Sequence, residues 1–450
     1  MSNVLDLLDQ TIFDVSRATG RPSLLQCVWV YDRPVDLDGL RRFHEHLQRG
    51  RLSRRIARSP LPFGRHRWVA PDHLPELEIV ESARPRKEFE AWLTEQGKTP
   101  LDCEHGPGWH LAVLPFTDGG AGVSFVISHC LTDGVGLCEA LADAARGRDD
   151  PISWPAAAAR RRWQALREDA GQTARDIPAM GRAVVAAVRL ARRSRGGTGA
   201  ATPRPATPAP ATPPALPAGA DERIVLPMAT VFVDADEWEA RAQALGGSST
   251  ALLAGFAARL AQRVGRVAAD GSVVVMMPVN ERAADDTRAN AISNVGVTVD
   301  PARATIDLRE IRTAIKQAWI RHRKVPDEER AVNAIVPLLP KRLLGGASVA
   351  MVGFASNVVG SSNLGVVNPA AGRPDGTDAN YFAMRNIPVG VTTATMYRRG
   401  GAQLVVLGRS HGHVFVSALA YQPGRHNSND GLRQDLSSTL NDFSLTGTHL

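Results

Sequence analysis

One stretch of the sequence constrains the fold more than any other, because it excludes both a helix interior and a central strand. Residues 196–220 read GGTGAATPRPATPAPATPPALPAGA, with seven prolines among alanine and threonine. Proline has no amide hydrogen and a fixed φ, so such a run favours an extended, flexible chain. We therefore predict a linker at residues 196–222 between two folded parts, residues 1–195 and residues 223–450.

Both parts are long enough to bury a core of their own, and a 44% hydrophobic content excludes general disorder. Hydrophobic periodicity predicts strands and helices in each part, without strict alternation of the two. In the first part we predict strands at residues 22–33, 65–69, 109–116 and 122–130 and helices at residues 37–50, 87–96 and 136–146. In the second part we predict strands at residues 223–234, 272–279, 291–299, 402–409 and 413–421 and helices at residues 235–245, 251–264 and 308–322. The pattern is typical of an α+β fold with two related sandwiches side by side.

The net charge of +7 is concentrated in one segment. Residues 160–195 hold ten arginines against three acidic residues, so the rest of the chain is neutral. This charge distribution is not that of a nucleic-acid-binding surface, so we predict no nucleic-acid partner. We predict a basic helix at residues 179–195. It is either a peripheral contact with a membrane or lipid droplet, or a solvated connecting helix.

Several features indicate a cytoplasmic protein. The four cysteines form no CxxC pair, which argues against a disulfide scaffold or a zinc site. The first residues contain Asp6 and Asp9 and lack the pattern of a secretory signal. Residues 343–372 carry no charge, but their glycines, Asn357 and Pro369 exclude a spanning helix and predict a buried wall of the core or of a ligand tunnel. His411 and His413 flank a glycine in a predicted turn, so we predict no metal site there.

The segment that carries chemistry is SFVISHCLTDGVGLCE at residues 124–139. An apolar strand ends at His129, Asp133 and Gly134 follow, and a helix begins. An imidazole at a strand end can take a proton from a hydroxyl group, and Gly134 leaves no side chain to block a substrate. The alternative is a histidine with only a structural role.

This segment resembles the HHxxxDG motif of the coenzyme-A-dependent acyltransferase superfamily. The superfamily includes chloramphenicol acetyltransferase, peptide-synthetase condensation domains and the bacterial wax ester synthase/diacylglycerol acyltransferases. The resemblance is strongest to the last group and covers most of the chain, through the motifs LDLLDQTIFD, RLSRRIARSPLPFGRHRWV, MMPVNER, ANAISNVGV, ASNVVG and VFVSALAYQPG. It implies two chloramphenicol-acetyltransferase-like α/β sandwich subdomains with an active-site channel between them.

The resemblance also implies roles for individual residues. His129 matches the histidine that is the general base, and Ser128 stands in the channel where the family has a first histidine. Asp133 matches a structural aspartate that pairs with an arginine, for which Arg282 is the candidate; the alternative is that Asp133 only caps the following helix. Asn357 matches an asparagine beside the channel, in a motif that lacks the family's proline here.

The function implied is an acyl-CoA-dependent O-acyltransferase. It would transfer a long-chain acyl group from a CoA thioester to an alcohol or glyceride hydroxyl, with acyl-CoA as substrate, no bound cofactor and no covalent intermediate. Two alternatives remain open. One is a condensation-type transferase that takes its acyl group from a carrier-protein thioester, and the other is a catalytically silent relative that binds acyl chains.

Overall fold

The structure is a computed structural model that describes residues 3–62, 64–148, 154–156, 159–196, 216–217, 219–283, 286–324 and 357–450. Most of the predicted linker lies outside the described residues, as does the part of the uncharged segment before Asn357. The boundaries predicted for the linker therefore stay a prediction.

The first part of the chain contains helices and strands close to the predicted positions. In chain order they are α1 (Leu7–Thr19), β1 (Ser23–Tyr31), α2 (Leu37–Arg49), β2 (Arg55–Ala57), β3 (Arg67–Val69), β4 (Leu77–Ile79), α3 (Phe89–Gln96), β5 (Trp109–Pro115), β6 (Ala121–Ser128), α4 (Gly134–Ala145) and α5 (Arg162–Gly196). The sequence analysis did not identify α1. The helix predicted at residues 179–195 is confirmed as the end of α5, but the side chains of most of that stretch lie outside the described residues, so its lipid contact stays a prediction.

The second part adds further strands and helices. They are β7 (Met228–Asp234), α6 (Ala235–Ala244), α7 (Ser249–Val264), β8 (Val273–Asn280), β9 (Ile292–Val299), α8 (Pro301–Ala304), α9 (Arg309–Lys324), β10 (Val358–Val366), β11 (Tyr381–Pro388), α10 (Thr393–Arg399), β12 (Ala402–Ser410), β13 (His413–Tyr421), α11 (Asn429–Asp442) and β14 (Thr448–His449). Among the described helices, none combines the length and the apolar character needed to cross a membrane.

Two large sheets organise the molecule, and the prediction of two sheet-containing subdomains is confirmed. One sheet has the strand order β11-β1-β6-β5-β4, and the other has the order β14-β7-β13-β12-β10-β8-β9. Strand β11 is far from its neighbour in sequence but pairs antiparallel with β1 along its whole length, with Met384 opposite Cys27. The sheet of the first part thus includes a strand from the second, and the two subdomains are interlocked.

Side chains along β12 point alternately to the two faces of its sheet, and this shows how the two sheets meet. Val405 and Leu407 pack in a core under α7, whereas Leu404 and Val406 face the first sheet. A cluster that contains Leu24 and Val126 of the first sheet with Met228 and Leu419 of the second joins the two halves. Each sheet therefore has a core of its own, and an apolar seam connects them.

The predicted hairpin of β12 and β13 is confirmed. Its two turn residues are His411 and Gly412, with φ values of 47° and 76°. Positive φ at both central residues is the geometry of a type I′ turn, whose twist matches that of the flanking strands. His411 also lies against Asp378, with its Nδ1 3.1 Å from a carboxylate oxygen, so the turn histidine has a local structural partner.

Candidate active site

The predicted catalytic loop begins where β6 ends. Every residue of β6 is buried, and the strand places His129 immediately after Ser128. The backbone N–H of His129 donates to the carbonyl of Ser23 at 2.9 Å, which anchors the loop to β1. The side chain of His129 is partly exposed, and its buried Nδ1 has no hydrogen-bond partner among the described residues. His129 is therefore anchored through its backbone, and no carboxylate among the described residues bonds to Nδ1 to fix the tautomer of the ring.

Asp133 caps α4 and forms an ion pair at the same time. Its Oδ1 accepts from the backbone N–H of Gly136 at 2.7 Å, and its Oδ2 lies 2.8 Å from Nη2 of Arg282. Oδ2 also accepts from the backbone N–H of Ala291 at 2.8 Å. The capping interpretation and the ion-pair interpretation are thus not alternatives, because each describes one oxygen of the same carboxylate.

Arg282 is the counterpart of this carboxylate in the second half of the chain, 149 positions away. Its guanidinium donates to the carbonyls of Arg288 at 2.9 Å and Ala289 at 3.0 Å. The side chains of Arg282 and Asp133 are only 9% and 3% exposed. A buried, multiply hydrogen-bonded pair of this kind fixes the histidine loop against the second sheet.

Gly134 is required for packing. A Cβ atom at this position would lie 2.8 Å from Cδ2 of Leu364 and 3.2 Å from Sδ of Met384. Both distances are shorter than ordinary van der Waals contact, so a larger residue would displace these side chains. The space that we predicted to be open for a substrate is occupied on this side by residues of β10 and β11.

Ser128 and Asn357, the two predicted channel residues, lie in different surroundings. Ser128 is 3% exposed, and its Oγ accepts from the backbone N–H of Cys130 at 3.3 Å. Asn357 precedes β10, and its carbonyl accepts from the backbone N–H of Val274 at 3.0 Å. Seven residues of extended strand, about 20 Å, separate Asn357 from Leu364 beside Gly134. Asn357 thus lies seven positions along the chain from the residue that packs beside Gly134, and its role in a channel stays a prediction.

The sequence analysis missed three residues that hold the loop. Asp9 of α1 is fully buried and accepts from the backbone N–H groups of Ala289 at 2.9 Å and Asn290 at 2.7 Å. Arg54 donates to the carbonyl of Leu131 at 2.8 Å. The side chain of Asn290 donates to the carbonyl of His129 at 3.1 Å. All three occur in motifs noted above, but nothing in their spacing indicated that they would meet.

Burial is the largest influence on the pKa values of Asp9 and Arg54. It raises the pKa of Asp9 to about 6, and the nearby Arg54 opposes the shift. It lowers the pKa of Arg54 to about 10, with Asp9 as the largest opposing influence. The Arg54 guanidinium also lies 4.0 Å from the centre of the Trp68 ring, a cation–π contact. Charged side chains are rarely this deeply buried without partners, and here each has several.

A second buried ion pair joins α3 to β11, the strand that the second half of the chain contributes to the first sheet. Nη2 of Arg385 on β11 is 3.0 Å from the carboxylate of Glu90, and their side chains are 2% and 9% exposed. Arg385 borders a small gap that Met228, Leu404 and Leu419 of the second half also line. Within the described chain, Nε and Nη1 of Arg385 have no partner. The seam between the sheets is therefore not uniformly apolar.

Comparisons with known proteins define the fold. No protein-family model matches the chain, and neither does any curated protein. Solved structures do match over almost the whole length. The first condensation domain of the CDA synthetase has a TM-score of 0.55 at 15% identity and covers 100% of this chain and 99% of its own.

Two other solved structures are similar over almost the whole chain. The wax ester synthase/diacylglycerol acyltransferase from Marinobacter aquaeolei VT8 has a TM-score of 0.55 at 14% identity, covering 98% of this chain and 100% of that one. TRI101 of F. sporotrichioides, solved with coenzyme A and T-2, has a TM-score of 0.56 at 12% identity, with 100% of both chains covered. The chain therefore has the condensation-domain and CoA-dependent acyltransferase fold. The similar scores do not single out the wax ester synthase group.

Proposed function

We propose that the protein is an acyltransferase that moves an acyl group from a CoA thioester to a hydroxyl group, with His129 as general base. The observation that carries the proposal is the histidine loop. It places an imidazole that has no side-chain partner among the described residues beside a buried ion pair, at the seam of two sheets with the superfamily's fold. An imidazole is the side chain best suited to remove a proton from a hydroxyl group and return it in a later step.

The proposed reaction needs one base and no protein nucleophile. His129 takes the proton of the acceptor hydroxyl as its oxygen attacks the thioester carbonyl. The C–S bond of the resulting tetrahedral intermediate then breaks, an ester forms, and the leaving thiolate takes the proton back from the imidazolium. The products are the ester and free CoA. The neighbouring Ser128 is buried and its Oγ is engaged by the loop backbone, which is unsuited to attack on a substrate.

A carrier-protein thioester is the second candidate for the acyl donor. The condensation domain of the CDA synthetase is as similar in structure as the wax ester synthase, at TM-scores of 0.55. The proton transfers at His129 would be the same for either thioester. A long-chain acyl group with an alcohol or glyceride acceptor is our preferred substrate pair because of the sequence resemblance described above.

The test is thiol release with defined donors and acceptors. We expect the purified protein to release free CoA from palmitoyl-CoA when hexadecanol or dipalmitoylglycerol is present, with an equal amount of ester detected by mass spectrometry. Water alone should give almost none. Release from palmitoyl-loaded carrier protein but not from palmitoyl-CoA would identify the second candidate. Binding of palmitoyl-CoA with no release under any condition would contradict the proposal and favour a silent acyl-binding protein.

A further inference from the structure

The segment at residues 289–291 connects the histidine loop to the rest of the molecule. The carbonyl of Ala289 accepts from the backbone N–H of Asp133 at 2.9 Å. The backbone N–H of Ala291 donates to the Asp133 carboxylate at 2.8 Å. Between them, Nδ2 of Asn290 donates to the carbonyl of His129 at 3.1 Å. Three consecutive residues of the second half therefore bind both ends of the loop that carries the imidazole.

Asp9 binds the same segment from the opposite side. Its Oδ2 accepts from the backbone N–H of Ala289 at 2.9 Å, and its Oδ1 accepts from the backbone N–H of Asn290 at 2.7 Å. Oδ1 also accepts from Nδ2 of Asn290 at 3.1 Å. Asp9 and Asn290 are both 0% exposed, so water does not compete for these bonds.

The amide group of Asn290 therefore bridges Asp9 and His129. Its Nδ2 group donates both to the carboxylate of Asp9 on α1 and to the carbonyl of His129. Its Oδ1 is buried and has no partner in the described structure. A charge-assisted bond to a carboxylate is stronger and more directional than a neutral one. The Asp9 carboxylate thus fixes the rotamer of Asn290, and Asn290 fixes the backbone from which the imidazole extends.

We infer that Asp9 is a positioning residue for His129 and acts through Asn290. The kinetic consequence rests on the proposed function, whereas the structural consequence for the imidazole does not. Neither residue needs to touch a substrate. A displacement of a catalytic group by about 1 Å can reduce a rate by on the order of 100-fold, so loss of the bridge should lower turnover without weakening substrate binding.

The experiment compares Asn290→Ala and Asp9→Asn with a matched control, Asp14→Asn. Asp14 lies on the same helix, but its carboxylate faces Nε2 of His66 at 3.4 Å, away from the segment at residues 289–291. We expect Asn290→Ala and Asp9→Asn to lower kcat by on the order of 10- to 100-fold with KM changed less than about twofold. Asp14→Asn should leave both parameters near the wild-type values.

A second measurement does not depend on activity. The ring signal of His129 in protein with ¹³C-labelled histidine, assigned by its loss in His129→Ala, reports the environment of the imidazole directly. We expect that signal to shift or broaden in Asn290→Ala and Asp9→Asn, and to stay in place in Asp14→Asn. A merely structural role would reduce the folded fraction without moving the signal in the molecules that remain folded.

The outcomes separate the two claims. If the wild-type protein shows no acyl transfer, the proposed function fails, and the His129 signal still tests the positioning role. An unchanged His129 signal and unchanged kcat in folded Asn290→Ala would overturn the inference. Failure of Asn290→Ala to fold would also count against the inference. That variant keeps both backbone hydrogen bonds to Asp9, so its unfolding would show that the Asn290 side chain serves stability alone.

Discussion

Replacement of His129 by alanine should reduce acyl transfer by about 100- to 10,000-fold, the usual range for loss of a general base. The stability of the protein should hardly change. The polar contacts that anchor this residue use its backbone, with the N–H bound to Ser23 and the carbonyl bound to Asn290, and alanine keeps both. Thiol release under saturating acyl-CoA and acceptor, together with thermal unfolding, measures the two effects separately.

His110→Ala is the matched control for this variant. His110 lies on the neighbouring strand β5, where its Nε2 is 2.8 Å from the carboxylate of Glu78. It is outside the histidine loop, so its removal should leave turnover close to the wild-type value. Equal losses of activity in the two variants would mean that His129 has no special role, and unchanged turnover in His129→Ala would remove the assignment.

Removal of either member of the Asp133–Arg282 pair should cost about 3–5 kcal/mol of unfolding free energy, because the partner is left as a buried, unpaired charge. The pair lies in the interior, with side chains 3% and 9% exposed, so solvent screening is weak. Asp133→Ala and Arg282→Ala should also lower turnover, since both release the histidine loop. Urea unfolding monitored by circular dichroism gives the stability of each variant.

The double variant distinguishes a coupled pair from two independent contacts. The double variant Asp133→Ala/Arg282→Ala leaves no unpaired buried charge. Its loss of unfolding free energy should therefore be smaller than the sum of the two single losses by about 1–3 kcal/mol. Asp133→Asn isolates the charge, because the amide keeps an oxygen that can accept from Gly136 at the start of α4. Arg303→Ala is a surface control: its pair with Glu310 is 68% and 75% exposed and should be worth less than about 1 kcal/mol. Additive losses at Asp133 and Arg282 would contradict coupling.

Local patterns in the sequence predicted local structure well. The buried strand, loop and helix around His129 follow from an apolar run, a capping aspartate and a helix-forming segment that are adjacent in the chain. The type I′ hairpin follows from two apolar strands separated by a short turn with glycine. In each case the interacting residues are neighbours in sequence, so periodicity and turn composition carry the information.

Long-range contacts could not be predicted in the same way. Strand β11 joins the first sheet although it follows β1 by about 350 positions, and no periodicity specifies which sheet a strand enters. The acidic residue Asp9 was interpreted only as a sign that the first residues are not a secretory signal. Its burial depends on three donors that come from Ala289 and Asn290, residues far away in the chain. Asn357 was assigned to the channel by motif similarity alone, and that role stays a prediction.

The central claim is that His129 activates the acceptor for direct transfer, without an acyl-enzyme intermediate. Intact-protein mass spectrometry after a single turnover tests it most directly. With palmitoyl-CoA alone the protein mass should stay unchanged and CoA should remain acylated; on addition of hexadecanol, CoA and ester should appear in equal amounts. A palmitoyl adduct on the protein in the absence of hexadecanol, with CoA released before any ester forms, would contradict the account.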